Sequence, residues 1–156
     1  MDSRTLGDPG TSAFALEKYP FYQLNRTVSR YNAVIEARLR SIGLDVPNWR
    51  VLMILGERAP RSVGEIAQAA VINLSTMMRI VQRMARDGLV RLAARQGDGR
   101  VREVFLTEKG ETTLAAARDA TSPVYAAAIA GFSEGEFDQM LALLGRMHGN
   151  LGDVEG

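Results

Sequence analysis

The chain has 156 residues, 46% hydrophobic and 24% charged, with a net charge of +1. That is the size of one globular domain, and no apolar run approaches the ~18 residues of a membrane span. It contains no cysteine and one histidine, His148. This excludes a disulfide framework, a thiolate zinc site and a thiol redox switch, and any Ser-His-Asp triad would have to use a residue in a helical stripe near the end. The expectation is therefore a protein without cofactor or metal and without enzymatic activity.

The start, "MDSRTLGDPGTSAF", has no basic segment followed by an apolar one, so it does not read as a secretory signal. A cytoplasmic location is expected. Its Gly, Pro, Ser and Asp content predicts a loose leader over residues 1–13, followed by one domain over 14–156. From Pro20 to Ile42 the apolar residues Phe21, Leu24, Val28, Tyr31, Ile35, Leu39 and Ile42 recur every three or four positions, which predicts a long helix. Arg26, Arg30, Arg38 and Arg40 occupy other positions of it. "GLDVPNW" interrupts the helix, with Gly43 suited to the C′ position and Pro47 to the first turn of the next.

"NWRVLMILGE" reads as a short, strongly apolar helix and "RAPRS" as a turn. In "SVGEIAQAA", Ser62 and Glu65 have capping-box spacing. Asn73 is a second N-cap signal and opens "NLSTMMRIVQRMARDG". Ile80, Val81, Met84 and Leu89 form the apolar stripe of that helix, and Gly88 ends it. Two helices so closely spaced predict a helix-turn-helix. "LVRLAAR" and "VREVFLT" read as strands around the turn "GDGR". Beyond them lie an Ala-rich helix, with Pro123 expected to kink or break it, and a last helix opened by the pair Ser133 and Glu136. The predicted fold is mainly α with a small β-hairpin, a winged helix-turn-helix with helical extensions at both ends. Its DNA-binding core spans about 46–108, and the flanking helices span about 20–43 and 109–151.

Charge is distributed unevenly along this order. Residues 73–110 carry eight Lys/Arg against four Asp/Glu, and residues 111–156 carry two against seven. The basic charge thus gathers on the second helix of the pair and the hairpin, where a polyanion would be met. The second helix of such a pair reads base edges with its first residues. Here those are Asn73, Ser75, Thr76, Met78 and Arg79: groups that bond bases or phosphates, an apolar group for a thymine methyl, and an arginine for guanine O6 and N7. Arg83, a turn further on, is placed for phosphates. In the hairpin, Gly97 and Gly99 permit the turn, Asp98 can hold a guanidinium, Arg100 sits at the tip facing a minor groove, and Arg95 and Arg102 face phosphates. A nucleotide-phosphate loop is disfavoured, because no helix starts directly after the glycines and no lysine follows them.

The stretch "STMMRIVQRMARDGLVRLAARQGDGRVREVFLTEKG" resembles the MarR-type transcriptional regulators. Ser75, Thr76, Arg79, Gly88, Leu89, Val90, Asp98, Arg100, Leu106, Thr107 and Gly110 fall where the family pattern has them. Gly99 departs from it, since many members carry a second arginine there. The resemblance implies a homodimer joined through the terminal helices, binding a palindromic operator in double-stranded DNA. The apolar Phe21, Leu24, Val28, Leu141, Leu144, Met147 and Leu151 independently call for a partner surface. It also implies a cleft for a small aromatic acid or aryl-CoA effector, with Tyr31, Arg38, Trp49 and Met53 as candidates, although Trp49 and Met53 also suit a plain core. The expected function is a ligand-released repressor. The alternative is an architectural DNA-binding protein with little sequence preference and no effector.

Overall fold

The boundaries of the helices follow their capping residues. The structure, a computed structural model, describes residues 2–152 and Val154. In chain order the elements are α1 (Ser3–Leu6), a 3-10 turn (Leu16–Lys18), α2 (Pro20–Arg40), α3 (Val46–Glu57), β1 (Arg61–Ser62), α4 (Val63–Ala70), α5 (Leu74–Arg86), β2 (Val90–Arg95), β3 (Asp98–Leu106), α6 (Glu108–Ala128) and α7 (Glu134–Gly152). Two compact units result, one through Ser122 and one from Pro123.

In the first unit, Asp45 caps α3 by accepting the Asn48 N–H at 2.8 Å, in a stretch where the sequence reading assigned only Pro47 to the helix start, although Asp is a preferred N-cap. Ser62 and Glu65 form the expected reciprocal box on α4, and Asn73 accepts the Thr76 N–H at 2.8 Å to start α5. Gly88, at φ +76, closes α5 in a Schellman arrangement, with the Leu89 N–H donating to the Met84 carbonyl at 2.9 Å. The core gathers Ile35 and Leu39 from α2, Leu52 and Leu55 from α3, Ile66 from α4, Met77, Val81 and Met84 from α5, and Val104 from β3, all essentially without solvent exposure. These are the periodic apolar positions of the sequence, now facing inward.

The sheet has three antiparallel strands in the order β1-β3-β2. Strand β1, two residues long, pairs Arg61 with Val104 and Ser62 with Glu103. It ties the N-terminus of α4 to the hairpin. Thr107 locks the hairpin's other end: its hydroxyl donates to the Gly88 carbonyl at 2.6 Å and accepts the Gly110 N–H at 3.0 Å. A Cβ at Gly110 would stand 2.0 Å from the Leu89 carbonyl oxygen. The Leu-Thr-x-x-Gly run is thus a structural joint between α5, the hairpin and α6.

Two expectations change. The segment read as a loose leader contains α1, capped by Asp2, and Ala15 donates its N–H to the Leu6 carbonyl at 2.7 Å. Gly7 is buried there, and a Cβ on it would lie 2.5 Å from the Lys18 carbonyl oxygen. Close backbone approach, which turn-rich composition allows, orders this segment. Of the kink or break expected at Pro123, the break does not occur: α6 runs through it, proline removing one intrahelical donor without ending the helix.

In the second unit, Ser133 and Glu136 cap α7 reciprocally. Among its described residues α7 buries none, and Leu141, Leu143, Leu144 and Leu151 are exposed.

Candidate functional site

The exposed face of α5 and the hairpin beside it carry the sequence candidates. Ser75, Thr76 and Arg79 are exposed at the start of α5, and Met78 is half-buried. Asn73 works inside the cap: its side-chain oxygen accepts both the Thr76 N–H and, at 2.9 Å, the Ser75 hydroxyl. Arg83 is engaged within the protein, donating to Asp45 Oδ2 at 3.0 Å and Asn48 Oδ1 at 3.2 Å. Asp45 therefore caps α3 with one oxygen and ties α5 to it with the other.

The hairpin differs from its predicted form. Its loop is Gln96–Gly97, with Gly97 at φ +88, and β3 begins at Asp98, paired with Arg95 across an irregularity at Ala94/Arg95. Arg100 is consequently an exposed strand residue just beyond the turn, not its tip. Gly99 takes no positive φ. Asp98 accepts the Arg100 backbone N–H at 3.1 Å, so it braces the strand start and leaves the guanidinium free. A bulge adds a residue to one strand, and alternating hydrophobicity does not reveal where.

Arg95 is also ion-paired within the protein, with Glu103 at 2.8 Å and Glu65 at 3.4 Å, although its side chain stays 40% exposed. Glu65 is shared with Arg58 at 3.3 Å. Hydrogen bonds from Ser62, with Arg58 adding to them, lower the Glu65 carboxyl to about 2. These ion pairs join the start of α4 to the hairpin. Arg83 is exposed like Arg79, Arg86, Arg100 and Arg102, but these four, unlike it, form no ion pair among the described residues. A surface with cations unpaired on one helix face and one hairpin can neutralise a run of phosphates.

A second feature lies between α2, α3 and the end of α4. Tyr31, Asn32, Trp49, Arg50, Met53, Ile54, Ala69 and Ala70 line a cavity of about 420 Å³, a volume suited to a small organic ligand. Three of the four residues expected there line it. Arg38 does not: it is exposed, seven residues beyond Tyr31, about 10 Å further along the helix axis. Arg50 takes its place, one position after Trp49 and three before Met53, a spacing that sequence reading passed over. Burial raises the Tyr31 hydroxyl pKa, and the Arg50 charge opposes that shift. The Trp49 indole N–H is buried and has no hydrogen-bond partner among the described residues, an unmade bond that ordinarily costs about 1–3 kcal/mol.

Comparison with known proteins agrees with this architecture. A MarR family sequence model matches residues 42–101. An HTH-type transcriptional repressor, IacR, of Pseudomonas putida is 38% identical over 92% of this chain and 86% of its own length. Two MarR family regulators of Silicibacter pomeroyi have similar structures. One is 26% identical with a TM-score of 0.80, covering 96% of this chain and 97% of its own. The other is 29% identical with a TM-score of 0.78, covering 87% and 92%. A recognition helix beside an arginine-bearing wing, together with these likenesses along nearly the whole chain, establishes the identity: the protein belongs to the MarR family of transcriptional regulators.

Proposed function

We propose that the protein is a homodimeric, sequence-specific repressor whose DNA affinity falls when a small aryl anion occupies the cavity beside Trp49. Helix α5 enters the major groove, where Thr76 and Arg79 meet base edges, while Arg100 and Arg102 of the wing meet the neighbouring minor groove and phosphates. The observation that carries this reading is the division among the arginines. Arg83 ties α5 to α3 and Arg95 ties the wing to α4 through ion pairs, whereas Arg79, Arg100 and Arg102 form no ion pair among the described residues. The relative in Pseudomonas putida, named as a repressor, supports the direction of regulation.

For the effector, an aromatic wall, the unpartnered Trp49 N–H and the Arg50 guanidinium suit an aryl carboxylate or aryl thioester. Such a ligand releases DNA only through its differential affinity for the two lobe spacings of the dimer. Titration against duplexes selected from a random library and against random duplex, at two salt concentrations, tests the DNA reading. A specific complex about 10³-fold tighter is expected, and equal, steeply salt-dependent binding would favour the architectural alternative. Arg79→Ala should cost about 1–3 kcal/mol at particular base pairs, while Arg100→Ala should weaken all sites and flatten the salt slope. Trp49 is the one tryptophan, so its fluorescence reports the effector directly. An aryl acid that quenches it and weakens operator binding, and does neither in Arg50→Ala, is the expected result.

A further inference from the structure

Within residues 46–108, Val71 and Leu74 are the large apolar side chains left exposed, at 91% and 55%. They flank the Asn73 cap at which α5 begins. The fold gains little from either. Val71 ends α4 in the left-handed region, at φ 55 and ψ 46, where glycine or asparagine is usual and a β-branched residue is strained. It is the one non-glycine residue with positive φ among the described residues. The left-handed state lets the Val71 and Ile72 N–H groups donate to the Gln68 and Ala67 carbonyls at 3.2 and 3.0 Å, bonds that a glycine would make without strain, so the cap does not account for an almost wholly exposed valine; such violations of local preference concentrate where function requires them.

The surrounding polar groups sharpen the contrast. Asn73 and Ser75 spend their side chains on the cap, so the front of α5 offers fewer free polar groups than its sequence suggests. The one apolar feature of base edges in the major groove is the thymine C5 methyl group. We infer that Leu74, with Val71, reads thymine methyl groups at the edge of the site that α5 enters, making these two residues specificity determinants. This rests on the reading of α5 as the groove-entering helix.

The test uses the full-length protein and a duplex selected by it from a random library, then resynthesised with deoxyuridine replacing each thymidine in turn. At one or more positions the loss of a methyl should weaken wild-type binding about fourfold, the worth of one buried carbon. The same replacement should leave Leu74→Ala unaffected, because the methyl's partner is already gone. Val71→Gly should unfold at a higher temperature than the wild type and yet bind the selected duplex several-fold more weakly. Deoxyuridine that weakens wild type and Leu74→Ala alike, or weakens neither while selective binding persists, overturns this inference alone. Failure of the wild type to enrich any duplex over random DNA overturns the groove-reading assignment beneath it.

Discussion

Glu65 joins three partners from three parts of the fold. It caps α4 with Ser62, receives Arg58, and meets Arg95 of the hairpin. The carboxyl is lowered to about 2, first by the Ser62 backbone and hydroxyl hydrogen bonds. A depressed folded-state pKa contributes stability above the unfolded value and loses it as pH falls through the folded one. The stability difference between wild type and Glu65→Ala should therefore be greatest above about pH 4.5 and shrink toward pH 2. Denaturant unfolding at stepped pH measures it; a difference that does not change with pH would show that the carboxylate charge is irrelevant to the cap. The Ser62–Glu65 spacing was legible in the sequence because a capping box is local. The Arg95 partnership was not, since Glu65 lies thirty residues away in the chain and only the pairing of β1 with β3 brings them together.

At the scale of elements, the hairpin is positioned by the joint at its base. Thr107 and Gly110 hold the start of α6 against the turn that ends α5. A methyl group at Gly110 would collide with the Leu89 carbonyl, which is backbone and cannot swing aside. Gly110→Ala should therefore lose at least about 1–3 kcal/mol, the usual cost of forcing atoms into a filled space, seen as a lower midpoint in denaturant. Gly99→Ala, with open space around the glycine, is the matched control and should change stability by no more than about 0.5 kcal/mol. Helices and strands were readable from periodicity and caps. The site of the turn was not: "GDGR" has the composition of a hairpin loop, but a strand irregularity moves the loop to Gln96–Gly97 and makes Arg100 a strand residue.

For the whole molecule, the proposed homodimer would cover the exposed apolar residues of the terminal helices. Leu141, Leu144 and Leu151 of α7 and Val28 of α2 stay in contact with solvent, which an isolated chain tolerates poorly. Sedimentation equilibrium should give twice the 17.0 kDa chain mass. Leu144→Asp, at an exposed position, should lower it toward the single-chain value and weaken operator binding, because one copy spans one half-site instead of two. A variant that stays dimeric would move the interface away from α7.

The sequence by itself determined the order of the main helices and the hairpin, the helix-turn-helix, the basic bias of its second half and most of the apolar core, all of which depend on neighbours within a few residues; α1 and β1 were not read from it. It also pointed to three of the four cavity residues it named, since Tyr31 faces inward on its helix and Trp49 and Met53 share one face of theirs. Tertiary structure alone decided which arginines are free. Arg83 and Arg95 look no different from Arg79 and Arg100 in the chain, and their assignments depend on carboxylates brought near by folding. It also decided that Arg50 and not Arg38 borders the cavity, and that Leu74 and Val71 remain exposed. Charge pairing and exposure are properties of distance in space, which chain spacing specifies only within a helix turn or a strand pair.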